Sequence, residues 1–279
     1  SFSSYYNKVR LIVLPDISKV SDLISEVAKV EILPRFRSLS ADEQWHKEVG
    51  GLVTIADIQS EKFLSRALGE LIPGSLILGE EGAANMDQPY LCLEEDAPVW
   101  IIDPLDGTNN FAKGKEDFAV IVALSLAKEV RAGWIYAPMH HLMVVAEEGA
   151  GGWIGTERLQ FSASCRADQM RGTLGRRFRD YPGMDDRFAS LSNASCCGME
   201  YLDIARGKLD FAHFRRLKPW DHAAGDLIIR EAGGAASCMD GTLYRPGDTP
   251  SKGLLLARDQ GCWDIVAEAI DPVFATLAN

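Results

Sequence analysis

The sequence predicts a layered protein of the α/β class, an α+β mixture in which helices and sheets alternate. Three observations carry that prediction. Apolar residues recur at helical spacing in the first third, strand-like apolar runs with very short separators fill the middle, and helices alternate with strands in the second half. Val20, Leu23, Ile24, Val27 and Val30 define the first helical face. A second helix runs from about Asp57 to Leu71 with Phe63, Leu64 and Leu68 on one side. Pro73-Gly74 ends it by removing a backbone donor and supplying a turn. Strands are expected at Ser75–Leu78, Val99–Ile102, Phe118–Leu126, Ala132–Tyr136 and Leu142–Ala146. The separators Lys128-Glu129 and Ala137-Pro138 are too short for crossovers, so these neighbours should pair antiparallel. Gly149, Gly151 and Gly152 read as a loop that lacks any phosphate-cradling glycine pattern. Beyond it come helices near Gly198–Arg206 and from about Asp221 to Glu231. Strands Gly234–Cys238 and Gly253–Ala257 flank a turn at Asp240-Gly241, and a last helix follows Asp259. The change in character places a boundary around residues 137–152, giving an N-terminal unit 1–140 and a C-terminal unit 141–279.

Composition narrows the function. The chain has 279 residues, 47% hydrophobic and 25% charged, which excludes wholesale disorder. No apolar run approaches the ~20 residues that cross a bilayer. Ser1–Lys8 carry neither a basic segment nor an apolar one, so no secretory leader is expected and the chain reads as cytoplasmic. A net charge of −11 speaks against a duplex nucleic-acid binder. The same charge repels an anionic substrate unless metal ions or local cations intervene. The six cysteines (Cys92, Cys165, Cys196, Cys197, Cys238 and Cys262) form no C-x-x-C pair, which points to reduced thiols rather than structural zinc.

Three segments deliver carboxylates from the end of an apolar run. They are Leu52–Asp57, Ile77–Gly82 with Glu80-Glu81, and Val99–Thr108 with Asp103 and Asp106. In the third, the strand is expected to stop at Asp103, and Pro104 and Gly107 to turn the chain so that Asp106 comes back towards it. Two carboxylates at a buried strand end repel and lose hydration. A hard divalent cation removes that penalty, and all-oxygen donors suit magnesium or manganese. Asp57 alone would be an ordinary helix N-cap, and Glu80-Glu81 alone a solvated pair; the joint pattern argues for a metal cluster. Thr108 opens a short helix through Asn109-Asn110-Phe111, whose first amides can meet an anion held at the metals. Asp221, in Pro219-Trp220-Asp221-His222-Ala223-Ala224-Gly225, starts an apolar helix where a carboxylate can cap the backbone and bind metal.

These blocks resemble the inositol monophosphatase family. The resemblance rests on Val53–Asp57, Gly79–Gly82, Trp100–Phe111 and Trp220–Gly234, in that order, and covers about residues 45 to 235. It implies the αβαβα layered sandwich of the sugar-phosphatase superfamily and magnesium-dependent hydrolysis of a phosphate monoester. It implies that Glu80, Asp103, Asp106, Asp221 and the Leu105 carbonyl hold two ions, with a third, weaker Mg2+ beside Asp57, and Mn2+ as an alternative. Asp57 and Thr108, assisted by Glu80, would then activate water, and Gly107 and Thr108 would hold the phosphate. No covalent phosphoenzyme is implied. Homodimers and lithium sensitivity come with the family.

Substrate residues depart from the family pattern. The position of a substrate-binding glutamate falls at about Phe214, which cannot accept a hydroxyl hydrogen bond as a carboxylate does. The small-residue turn that meets substrate corresponds to Ser195-Cys196 and is also altered, while Asp221 stays as a substrate neighbour. Beside Phe214 lie Arg215, Arg216 and Lys218; a solvated strand end is the plainer reading, and the alternative is that one of these cations meets a second anionic group of the substrate. The expected partner is a small phosphorylated metabolite: an inositol phosphate first, with fructose 1,6-bisphosphate, histidinol phosphate and adenosine 3′,5′-bisphosphate as alternatives. A partner-binding regulatory protein on the same fold is the competing class. His140, His141 and His222 are expected in loop or surface roles, Cys196-Cys197 as small packing residues, and Lys47 as an offset to the acidic site.

Overall fold

The computed structural model describes residues 14–47, 51–161, 166–193 and 195–277. Ser1–Lys8 and Cys165, considered above, lie outside them. Helix α1 (Ile17–Val27) starts where Asp16 accepts the Ser18 N–H at 2.8 Å, and buries Val20, Ile24 and Val27. A π-helical turn at Ala28–Ile32 then shifts the phase. Ile32 is buried and Val30, expected on the inner face, is 39% exposed. Strands β1 (Gln44–His46) and β2 (Leu52–Thr54) pair antiparallel, and β2 runs directly into α2 (Ile55–Leu71). Thr54 is the N-cap of α2. Asp57 is its third residue and returns a carboxylate to the Thr54 N–H at 2.8 Å, so the N-cap reading of Asp57 is corrected to the far half of a capping box.

The next elements are β3 (Leu76–Gly79), α3 (Glu80–Ala83), β4 (Pro98–Asp106), α4 (Thr108–Ala112) and β5 (Ala119–Leu126). They are followed by β6 (Glu129–Ala137), β7 (Leu142–Glu147), β8 (Gly151–Ile154) and β9 (Glu157–Leu159). Together β3 to β9 make a seven-stranded sheet in sequence order, parallel only between β3 and β4. Gly151 and Gly152, read as loop, belong to β8; Gly151 has φ 115°, a conformation that favours glycine. The sheet runs unbroken through residues 137–152. A boundary there would cut it, and the change of sheet falls instead between Leu159 and Arg171.

The remaining elements are β10 (Arg171–Thr173), α5 (Arg176–Arg179), β11 (Ser190–Ser192), α6 (Cys197–Ala205) and β12 (Phe211–Phe214). Then come α7 (Pro219–Glu231), β13 (Ala235–Cys238), β14 (Leu254–Ala257) and α8 (Gln260–Leu277). The second sheet has the order β11-β10-β12-β14-β13. Alternation along the strands sorts the core into layers. Trp100, Ile102, Val120 and Val122 pack against α1 and α2. Val99, Ile101 and Ile121 face the opposite way onto α6 and α7, which also meet Ala212 and Leu256 of the second sheet. Phe211 and Leu255, on that sheet's other face, pack on Val266 and Ile270 of α8. The succession is helix, sheet, helix, sheet, helix.

The central seam is tight. A Cβ on Gly133 of β6 would stand 2.8 Å from the Ala224 Cα of α7, closer than packed atoms allow. Gly133→Ala is expected to lower stability by about 1–3 kcal/mol through this overpacking, read as a fall in melting temperature. A melting temperature within 1 °C of the parent would show that α7 does not press on β6 so closely.

Candidate active site

One cavity of about 210 Å³ is lined by Gly51, Leu52, Glu80, Asp103, Leu105, Asp106, Gly107, Thr108, Asn109, Ser195, Lys218 and Asp221. Three elements deliver its acids. Glu80 begins α3 at the end of β3, Asp103 and Asp106 lie in β4, and Asp221 is the third residue of α7, following Lys218 as N-cap and Pro219 as first residue. Capping by Asp221 is thus corrected; its carboxylate is directed to the cavity instead.

The pair on β4 is arranged by register. Asp103 pairs with Ile121 and Asp106 with Ala119, so three steps along β4 match two along β5. Residues three apart normally point to opposite faces; the one-residue bulge brings both carboxylates onto the α6–α7 side. Pro104 sits in the bulge, where it has no ladder donor to lose, and the Leu105 N–H turns to Asp103 Oδ1 at 3.0 Å. The predicted stop at Asp103 is therefore a strand that continues, kinked, to Asp106. Gly107 follows at φ 86°, a left-handed conformation that favours glycine, and starts α4.

Asp57 reaches this centre through Thr108. The Thr108 hydroxyl lies 2.9 Å from Asp57 Oδ1 and 3.1 Å from the Leu105 carbonyl, while Asp57 Oδ2 accepts the Thr54 hydroxyl at 2.6 Å. Behind Asp106, the Gly198 N–H donates to Oδ2 at 2.5 Å and the Cys196 thiol to the same oxygen at 3.1 Å. Cys196, expected at the substrate and as a packing residue, is instead a buried donor to Asp106. Phe214 does not line the cavity. It is buried in β12 with its ring centroid 5.6 Å from Tyr201 and 4.7 Å from His222. Ser195 does line it, held by its N–H to Glu200 Oε1 at 3.2 Å.

His222 is corrected from surface to core. Its Nε2 donates to the Arg216 carbonyl at 2.9 Å, since a carbonyl only accepts, which leaves Nδ1 to accept the Tyr201 hydroxyl at 3.0 Å. Its donor atom lies within 4.8 Å of those of Cys197 and Asp221, but with both ring nitrogens engaged this trio is a poor metal ligand set. One acid that sequence reasoning passed over, Glu61, supports the centre, as does Glu81. Glu61, four residues after Asp57 on α2, accepts the Glu81 and Gly82 N–H groups, each at 2.7 Å, and so fixes the start of α3. Its helical spacing from Asp57 was the available signal. Glu81 is bridged by Lys47 Nζ at 2.7 Å, and the same ammonium stands 3.8 Å from Glu80.

Charge crowding sets the chemistry. Burial, reinforced by Glu80, Asp106 and Asp221, pushes Asp103 well above the usual carboxylate range. Burial, with Asp106 and Glu80 nearby, pushes Asp221 up to about 8. Burial likewise pushes Asp57 up to about 7 against its Thr54 bonds, and Asp106 up to about 6 against the Gly198 N–H. Lys218, whose Nζ is 3.4 Å from Glu80, is the one cationic side chain lining the cavity among the described residues. A single ammonium cannot balance four acids. Hard oxygen donors with a deficit of positive charge fit divalent cations such as magnesium.

Known proteins resemble this chain along most of its length. The model of the inositol monophosphatase family matches residues 17–272. An inositol-1-monophosphatase of Mesorhizobium japonicum is 35% identical over 205 residues, covering 70% of this chain and 75% of its own. A fructose-1,6-bisphosphatase/inositol-1-monophosphatase of Thermotoga maritima is 29% identical over 195 residues, covering 68% and 72%. Among solved structures, an IMPase of Thermotoga maritima has the same fold, with a TM-score of 0.75 and 24% identity over 92% of this chain and 98% of that one.

Proposed function

Because the chain belongs to the inositol monophosphatase family, a family of phosphatases, we propose that it hydrolyses the phosphate monoester of a small metabolite in the acid-lined cavity, with inositol phosphates as the first candidates. The observation that carries this reading is the Thr108 hydroxyl. It links Asp57, outside the cavity, to a wall made of Glu80, Asp103, Asp106 and Asp221. Glu80, Asp103, Asp106, Asp221 and the Leu105 carbonyl would hold two magnesium ions, with Asp57 near a third; Mn2+ is chemically equivalent here. When bound, the ions neutralise the acids, make water acidic and stabilise the departing oxygen.

The side chains then handle one proton. Water gives it to Thr108 Oγ1 as that hydroxyl passes its own to Asp57 Oδ1, 2.9 Å away. The water oxygen bonds to phosphorus, the phosphorus–oxygen bond to the metabolite breaks, and the freed alcohol takes a proton from solvent. Gly107 and Thr108, at the start of α4, orient the phosphate. Behind them the Cys196 thiol and Gly198 N–H hold Asp106 in place. The same reading carries a homodimer, lithium sensitivity and a cytoplasmic setting; no helix among the described residues is long and apolar enough to cross a membrane.

The test is release of inorganic phosphate from a panel of phosphate esters with and without magnesium. Thr108→Val, which keeps the shape and removes the hydroxyl, is expected to lower kcat by about 10²–10⁴ with little change in KM. An unchanged kcat would remove Thr108 from the proton path. A folded protein that releases no phosphate from any ester would favour the partner-binding alternative.

A further inference from the structure

Three cations follow Phe214 in the sequence, and the structure separates them. Arg215 and Arg216 are exposed and line no part of the catalytic cavity. Arg215 stacks its guanidinium over Phe274 of α8 at 5.8 Å. Lys218 is different. It lies between buried Leu217 and buried Pro219, and Pro219 restricts it to an extended backbone, φ −67° and ψ 133°. Its side chain reaches one place, beside Glu80 and the Trp220 ring.

That place is a junction. Lys218 and Glu80 line the catalytic cavity and also an adjoining one of about 160 Å³, whose other walls are Lys47, Ala83, Ala84, Tyr90 and Trp220. The neighbouring cavity is aromatic on one side. The Tyr90 and Trp220 rings meet edge to face at 6.1 Å, and Lys218 Nζ lies 5.4 Å from the Trp220 ring. Its two ammonium groups are not equivalent. Lys47 is 13% exposed and bound to Glu81 at 2.7 Å, so its charge is spent. Lys218 has one long contact, 3.4 Å to Glu80, and a side chain 41% exposed. Once cations occupy the acids, Glu80 has less charge to offer and the Lys218 ammonium is the available partner for an anion entering beside the aromatic wall.

We propose that Lys218 is a specificity-determining residue that receives a second anionic group of the substrate, a phosphate carried beside an apolar ring face that rests on Tyr90 and Trp220. This rests on the phosphatase reading and names the substrate class within it: bisphosphates of a sugar or nucleoside. The Arg215 and Arg216 side chains are excluded from that role by their position.

The test compares each bisphosphate with monophosphates on the same scaffold: fructose 1,6-bisphosphate against fructose 1-phosphate, and adenosine 3′,5′-bisphosphate against the 3′- and 5′-monophosphates. Dissociation constants are measured by calorimetry with calcium as the divalent ion, and kcat and KM with magnesium, on the full chain. The parent is expected to favour the bisphosphate in at least one pair by about tenfold. Lys218→Met should lose that preference through KM and Kd, and Lys218→Arg should restore most of it. The pair that shows the effect identifies the scaffold. Equal preference ratios in the parent and Lys218→Met, or no preference in the parent, would overturn the proposal and leave Lys218 as a counter-ion of Glu80. Selective binding without turnover of any ester would sink the phosphatase reading while upholding the Lys218 assignment.

Discussion

Asp103→Asn is expected to abolish magnesium-dependent phosphate release, by at least about 10³-fold in kcat/KM, while raising the melting temperature of the metal-free protein. Both effects have one cause. Asp103 is 1% exposed and crowded by Glu80, Asp106 and Asp221. Without cations its charge is a burden, so an amide of the same shape relieves repulsion and still accepts the Leu105 N–H through its oxygen. With cations its charge is the attraction that holds them, and about 4 kcal/mol of stabilisation on the reaction path, three decades in rate, leaves with it. A rise of about 3 °C in the presence of chelator corresponds to roughly 1 kcal/mol at this size. Retained activity, or a lower metal-free melting temperature, would show that Asp103 is a structural acid and no metal ligand.

The second large effect is on pH. In chelator the melting temperature is expected to fall by about 5 °C between pH 6.5 and 8.5, and saturating magnesium to remove most of that slope. The sign follows from proton counting. Burial pushes Asp57 up to about 7 and Asp221 up to about 8 in the folded chain, far above the ordinary value near 3.8. Between those limits the folded chain holds protons the unfolded chain has released. The resulting stabilisation is full below the ordinary value and is lost as pH rises through 7 and 8. Each such group contributes about 1.4 kcal/mol per pH unit at most. His213 and His222, both pushed down to about 4 by burial, act in the opposite sense, but only as pH falls below about 6.5. Divalent ions compete with the carboxylate protons and so flatten the curve. A flat profile in chelator would mean that these acids are solvated in the metal-free protein.

Much of this arrangement was legible in the sequence, and the remainder was hidden for identifiable reasons. Long periodic segments such as α2 and β5 announced themselves; the acids Glu80, Asp103 and Asp106 stood out because each follows an apolar run, and Asp221 because it opens an apolar helix. The bulge that turns Asp103 and Asp106 to one side was invisible, since register belongs to two strands and the pattern of one does not contain it. Strands β10 and β11, three residues each, are too short to show alternation. The glycines of β8 read as loop because nothing local reveals their pairing with β7 and β9. Phe214 and Cys196 were placed at the substrate by position along the chain, yet one is core and the other stands behind Asp106. Of the three cations that follow Phe214, only Lys218 lines the cavity, which no local pattern reveals.

The delivery of Asp221 by α7 has a consequence for the making of the molecule. Its other acidic partners all leave the ribosome before residue 107, whereas α7 emerges only after the whole first sheet and part of the second. Until α7 packs on β6 at Gly133, the cavity therefore lacks the wall that carries Asp221.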